Sequence, residues 1–490
     1  MRLLSLILLT PALGALLIAF LQPQMIRTIR AVATSVSALT LAFSVLLLPG
    51  FDASEARLQY QELLPWNPEL GSSYALGVDG FSLPMVLLSA LLSLAAVLAS
   101  FSIDRRVKGY HVCLLILESG MLGVFMAQDW ALFYVFWEVT LIPLFFLIDQ
   151  WGGPRRHVAS LNFVLYTMGG SVFMLVSLLT IYTSSHEHST AFASMAKAAA
   201  ELTADEQILV MLGLLIGFGV KLPTFPLHGW LPLAHVQAPS PVSILLSGAL
   251  LKMGAYGLIR AAGMLPAGMS ALQPLLAALA LISIVYGGLL AWRQSDLKAM
   301  IAYSSISHMG IVMLGISTLN QIGLTGATLQ MSAHGLVAGA MFLLIGLLYE
   351  RTHTREIADY SNLVQTTPRF ALFISLALLA SMGLPGLAGF PAELHALIGG
   401  FQRWGWWVVW ISLSVLVSAA YAVRTLGWLF TGPVRQEMAK VKDLSGQELI
   451  AAGVLALGIV GLGLIPAPLL RLIDASVAHL SASFPERMPK

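Results

Sequence analysis

Glu138, Lys221 and Glu393 each lie inside or against a long apolar segment of the chain. A charge near the centre of a bilayer costs about 2.5–3.5 kcal/mol on insertion scales, so such groups usually mark an ion or proton path. Glu138 stands in the apolar run from Ala131 to Leu144, with no basic residue within a helical turn. It is therefore protonated or paired across helices; a structural ion pair pinning a bundle is the alternative. Lys221 closes an apolar half-segment, where the free carbonyls of a helix C-terminus carry partial negative charge. Burial and a neighbouring carboxylate act on a lysine in opposite senses, so moving the carboxylate can switch its proton occupancy.

Lys252 sits midway along another apolar segment, too deep to snorkel easily, and His308 and His334 lie among hydroxyl-bearing residues on adjacent segments. A lone histidine there is more often a hydrogen-bonded interior group, and two leave the relay and the structural roles both open. In sequence order Glu138, Lys221, Lys252, His308, His334 and Glu393 suggest a lateral row across a helix bundle near mid-depth, with water filling the gaps. Glu118, beside Ser119 and Gly120, is a weaker candidate for the same path. His228 and His235 are candidates for lining a route into it, and Arg424 is placed to snorkel. The positions are too scattered for a metal site.

The elements that must position these groups are membrane helices. Of 490 residues, 58% are hydrophobic and 10% charged, against roughly 25% charged in a soluble domain. Runs of about 20 apolar residues span a bilayer. Fourteen are expected, near 3–21, 31–49, 80–101, 110–127, 130–148, 158–183, 206–236, 240–261, 272–292, 296–317, 323–349, 370–402, 405–430 and 449–472. The fold class is thus an all-α polytopic membrane protein. Alternate connectors carry fifteen Lys or Arg against four in the others, which supports the count and puts both termini on the positive-poor side. Connectors 51–74 and 184–205, on that side, are rich in Asp and Glu and read as loops. The N-terminal run lacks a convincing cleavage site and reads as a retained first span. The single cysteine, Cys113, excludes disulfide frameworks and cysteine-held clusters, and no nucleotide-binding motif is present.

Two spans are interrupted alike. Leu222-Pro223 precedes Phe225-Pro226, and Leu384-Pro385 precedes Phe390-Pro391, each in mid-span with an ionisable residue at hand. Proline removes a donor and clashes with the preceding turn, so paired prolines unwind the helix. Matched interruptions in two halves point to a transport site. They fall in the seventh and twelfth spans, five apart, so two five-helix units are inverted relative to each other. The expected divisions are helices 1–3 over 1–109, a first repeat over 110–261, a second over 272–430, and a last helix and tail over 449–490.

At these residues the chain resembles the antiporter-like membrane subunits of respiratory complex I, and specifically subunit M. The resemblance is carried by Phe-Trp-Glu-x-x-x-x-Pro ending at Pro143, by Lys-Leu-Pro-x-x-Pro-Leu-His-x-Trp-Leu-Pro from Lys221, and by Ala238 to Ser243. Leu250 to Gly257, Ala302 to Gly310 and Gly383 to Glu393 complete it, so that it covers almost the whole chain. It implies a fourteen-helix fold with two inverted repeats and a gating pair of Glu138 and Lys221. Lys252 is then the connecting lysine, His308 and His334 the central groups, and Glu393 the terminal protonation site. A glutamate at the last position, where sister subunits carry lysine, favours the M type.

The resemblance further implies proton translocation coupled to quinone reduction, with no cofactor on this chain. NAD(P)H or ferredoxin, flavin, iron–sulfur clusters and quinone belong to partner subunits, with L- and N-type antiporter-like subunits as neighbours in a bacterial inner or thylakoid membrane. Nucleic acid has no part. A multisubunit sodium/proton antiporter, a membrane-bound hydrogenase and a passive scaffold are the competing readings. Leu233 and Gln237 stand where relatives often carry acids, which questions the usual access route and leaves open a carbon dioxide-uptake variant.

Overall fold

The structure, a computed structural model, describes residues 2–484. Among the described residues, twelve helices are long and apolar enough to cross a membrane, from Leu3–Phe20 to Gly446–Leu464. The two expected spans missing from that set are the interrupted ones. The seventh is split into Ala204–Lys221 and Trp230–Gln237, and the twelfth into Pro368–Ser381 and Gly389–Trp404. The eighth, Ser240–Met264, the tenth, Leu297–Thr318, and the eleventh, Gln321–Thr352, form the buried centre, whereas the first and last spans keep wide apolar faces outward. Outward-facing leucine and valine are what a lipid solvent requires.

Three elements depart from the sequence-based expectation. The acidic connector before the third span contains an antiparallel hairpin, Gln59–Asn67 with Ser72–Val78. Its Glu62 carboxylate accepts from the backbone N–H of Leu4 at 2.8 Å and of Ser5 at 3.2 Å, and from the Ser5 hydroxyl. A carboxylate there satisfies orphan donors at the start of the first span. The connector 184–205 contains the short helix Phe192–Glu201. The span predicted over 449–472 stops at Leu464, because Pro466 bars the residue before it from helical geometry. A separate amphipathic helix, Ala467–Ser481, turns back and buries Ile473, Ser476 and Val477.

The two halves share a local architecture. Asp129 caps the fifth span through the N–H groups of Ala131 and Leu132, and Asp296 caps the tenth through Ala299. Around the first cap, Trp130 N–H donates to Thr190 and Phe192 N–H to Gln128. Around the second, Leu297 N–H donates to Arg355 and Ile357 N–H to Ser295. Each capped span is thus latched by the connector leading to its own broken helix.

Asp79 precedes the third span, Ser82–Ser102, and accepts from the Phe81 and Ser82 N–H groups at 3.0 Å. The Arg260 guanidinium, at the end of the eighth span, grips the same carboxylate at 2.6 and 2.8 Å. Burial pushes the Asp79 carboxyl up, but Arg260 and the Ser82 hydrogen bonds outweigh it and hold it below its ordinary value. A depressed carboxyl stabilises the fold above its unfolded value and loses that contribution as pH falls through the folded one. Asp79→Asn leaves a buried guanidinium unpaired and is expected to cost about 3–5 kcal/mol. Thermal melts of the purified protein should show a lower Tm for the variant at pH 7. The difference should shrink on acidification below the ordinary aspartate range.

Candidate proton-conducting site

The eighth span changes winding before Lys252: residues Leu246–Leu250 form a π-helical turn between two α-helical stretches. Such wide turns recur at functional positions because they free backbone groups. Here the Ser247 carbonyl accepts from the Lys252 Nζ at 2.5 Å. The ammonium also contacts His334 Nδ1 of the eleventh span at 2.7 Å. The His334 ring lies 5.5 Å, centroid to centroid, from His308 of the tenth span. His308 Nδ1 is 3.4 Å from the Glu393 carboxylate, on the second half of the broken twelfth span, and 3.3 Å from Gln330 Nε2. Lys252, His334, His308 and Glu393 are all at most 5% exposed. Four helices therefore bring four titratable groups into one buried row, with no hydrogen bond between the two histidines among the described residues.

The first half holds a second cluster. Lys221 ends its half-helix with Nζ donating to Thr140 Oγ1 at 2.9 Å, and with the Trp137 carbonyl at 3.4 Å. The ammonium also lies 4.2 Å from the centre of the Trp137 ring, a cation–π placement. The expected Lys221–Glu138 contact is absent from the ion pairs formed among the described residues. Glu138 remains close enough to act on Lys221 through space, while its Oε1 is buried with no hydrogen-bond partner among the described residues. Thr140 takes the lysine because it is one helical turn's reach from Trp137, and Gly120 of the fourth span leaves room beside it. A Cβ at Gly120 would stand 2.9 Å from Thr140 Cγ2.

The breaks themselves are chemically satisfied. In the seventh span Trp230 Nε1 donates to the freed Val220 carbonyl at 2.9 Å, and Phe225 N–H donates to Ser283 Oγ at 3.0 Å. In the twelfth, Gly383 has φ +75° and Gly386 φ +91°, a region side chains rarely adopt. A Cβ on Gly383 would also meet Glu393 Oε2 at 2.6 Å. That glycine, aligned with Lys221 by the matched Leu-Pro steps, leaves its space to the Glu393 carboxylate.

The remaining candidates sit apart from this line. Glu118 is buried in the fourth span, accepts from Ser37 Oγ of the second at 2.8 Å and has its other oxygen unpartnered. His228 packs its ring against Phe225 and Tyr286 at the first break. His235 stacks on Phe342 at 4.5 Å, with both ring nitrogens unpartnered, and Lys252 and Lys298 act on it through space. Lys298 looks in sequence like a connector charge, yet its Nζ is buried and donates to the Ala238 carbonyl at 2.8 Å. Tyr421, buried in the thirteenth span near Ser304 and Ser381, lies within electrostatic reach of Glu393 and carries no sequence signal. Gln330 could have been found from its place one turn before His334. Gln237 accepts from Arg155 N–H at 2.9 Å through Oε1, and its backbone carbonyl takes the Gly153 N–H. It latches the connector after the fifth span. Arg424 donates to the Trp292 carbonyl at the end of the ninth span.

Broken helices facing a line of buried acids and bases define a class, and comparison with known proteins agrees. Residues 127–418 match the family described as the transmembrane part of NADH:quinone oxidoreductase and Mrp antiporters, and the chain belongs to that family. It is a complex I-type antiporter-like membrane subunit. NADH-quinone oxidoreductase subunit M of Rhodobacter capsulatus is 39% identical, with 99% of this chain and 97% of that protein covered. An NAD(P)H-quinone oxidoreductase chain 4 of Synechococcus elongatus is 40% identical over 99% of this chain and 92% of its own length. A chain of respiratory complex I from Thermus thermophilus superposes with a TM-score of 0.91 at 31% identity, covering 99% of this chain and 100% of the other. The Mrp complex from Dietzia shares the fold, with a TM-score of 0.84 at 22% identity over 98% of both chains.

Proposed function

We propose that this chain translocates protons within a complex I-type NAD(P)H- or ferredoxin-dependent quinone oxidoreductase, without a redox centre of its own. Its membrane neighbours are L- and N-type antiporter-like chains, and other partner subunits carry flavin, iron–sulfur clusters and the quinone site. The membrane is a bacterial inner or thylakoid membrane, with both chain termini on the positive-poor side. The observation that carries this reading is the buried succession of Lys252 in contact with His334, the His308 ring 5.5 Å from the His334 ring, and Glu393 beside His308. The 39–40% identity to quinone oxidoreductase subunits, against 22% to the Mrp complex chain, favours it over a sodium/proton antiporter.

The ammonium of Lys252 donates to His334 Nδ1, which requires the neutral tautomer with its hydrogen on Nε2. Transfer of that proton onto Nδ1 frees the Nε2 proton, whose atom has no other partner, to move toward His308. His308 then delivers it to Glu393. Lys252 is left neutral and is recharged from Lys221, whose own occupancy follows Glu138. Groups coupled this closely titrate as a unit. Glu138→Gln removes the charge that biases Lys221 while keeping the shape of the side chain. In the reconstituted native complex it is expected to abolish pumping with assembly largely retained. An unchanged number of protons moved per electron pair would defeat the proposal.

A further inference from the structure

At the end of the bundle that carries the excess of Lys and Arg, a concavity of about 400 Å³ opens beside the start of the fourteenth span. Its wall holds Arg351, Lys440, Lys442, Asp443 and Ser445. Two of the charges in that wall, Arg351 and Asp443, are already answered. Arg351 is clamped by the Glu448 carboxylate at 2.6 and 2.8 Å and by the Lys442 carbonyl at 2.9 Å. Asp443 accepts from the Arg369, Phe370 and Leu444 N–H groups at 2.8, 3.0 and 2.7 Å. The exposed ammonium groups of Lys440 and Lys442 have no hydrogen-bond or ion-pair partner among the described residues. Two uncompensated cations therefore face a polar hollow beside the start of the fourteenth span.

The surface below the hollow says where the counter-charge comes from. Ile450, Val454 and Leu457, spaced four and three apart, are 60%, 40% and 74% exposed along the fourteenth span. That exposed apolar stripe begins within two turns of the basic hollow. We propose that this hollow binds the phosphodiester headgroup of an anionic phospholipid, with its acyl chains lying along Ile450, Val454 and Leu457. Charge complementarity selects the phosphate, and the apolar stripe selects a lipid over a free anion. Basic residues immediately beside a membrane helix attract anionic headgroups in this way.

The test uses the intact purified complex, delipidated and titrated with phosphatidylglycerol and, separately, phosphatidylcholine, with bound lipid counted by native mass spectrometry. The double variant Lys440→Gln/Lys442→Gln lies outside the proposed proton line. It is expected to lower phosphatidylglycerol affinity at this site about tenfold or more, leaving phosphatidylcholine binding unchanged. The control Arg27→Gln/Arg105→Gln removes two exposed charges elsewhere on the same face and is expected to leave the affinity alone. Equal binding by the lysine double variant, or an equal loss in the control, overturns the site. Displacement of the lipid by millimolar inorganic phosphate overturns the lipid assignment in favour of a soluble anion.

Discussion

Replacing Lys252 with methionine is expected to lower the initial rate of proton translocation by the assembled complex at least tenfold, a barrier change of about 1.4 kcal/mol or more. Methionine fills nearly the same volume and removes a buried ammonium, so folding does not suffer the penalty of an unpaired charge. It leaves the Ser247 carbonyl and His334 Nδ1 without their donor, each otherwise engaged at 2.5 and 2.7 Å. That loss is worth about 1–3 kcal/mol per buried group and is offset by the charge removed. Translocation has no such compensation, since no other titratable side chain contacts His334 Nδ1 among the described residues. Initial rates of ΔpH formation in vesicles, normalised to assembled complex, measure the effect. A variant pumping at the parental rate would show that the lysine is structural.

Glu393→Gln is expected to have an effect of the same order. Glutamine keeps the contact with His308 through its amide but cannot take up or release a proton, so the line ends one group early. The carboxylate is 3.4 Å from His308 Nδ1 and fills the space that a side chain on residue 383 would occupy. Gly383→Ala therefore serves as a second probe: its Cβ would crowd Glu393 Oε2, and its backbone angle is strained for alanine. A partial loss in Gly383→Ala beside a near-complete loss in Glu393→Gln ties the function to the placement of the carboxylate. Full activity in Glu393→Gln would remove it from the path.

Much of this was readable in the sequence because a bilayer permits few solutions. Apolar length sets the spans, and Leu-Pro followed by Phe-Pro can only interrupt them. Ionisable groups stand out against 58% hydrophobic residues, which makes Lys252, His308, His334 and Glu393 legible as candidates from the sequence. The contacts themselves depend on helix rotation, which apolar composition leaves undetermined. Lys221 accordingly meets Thr140 and Trp137 instead of the adjacent Glu138. Lys298 was hidden because a lysine at the second position of a span reads as a connector charge, and only the packing of Ala238 against it shows its burial. The hairpin is not legible in the sequence because the acidic, aromatic and glycine residues over 51–74 show no clear alternation, and its partner is the first span through Glu62.

Proton passage from one half of the molecule to the other requires a bridge between Lys221 and Lys252, which make no hydrogen bond to each other among the described residues. The seventh and eighth spans approach closely there, a Cβ on Gly254 standing 2.6 Å from the Phe218 carbonyl. The most direct test is a map of the native complex in lipid at a resolution that resolves water. Ordered water joining Lys221 to Lys252, and continuing beside His308 to Glu393, is the predicted result. A gap between the two lysines filled by apolar side chains, with no water in it, would contradict a continuous buried path.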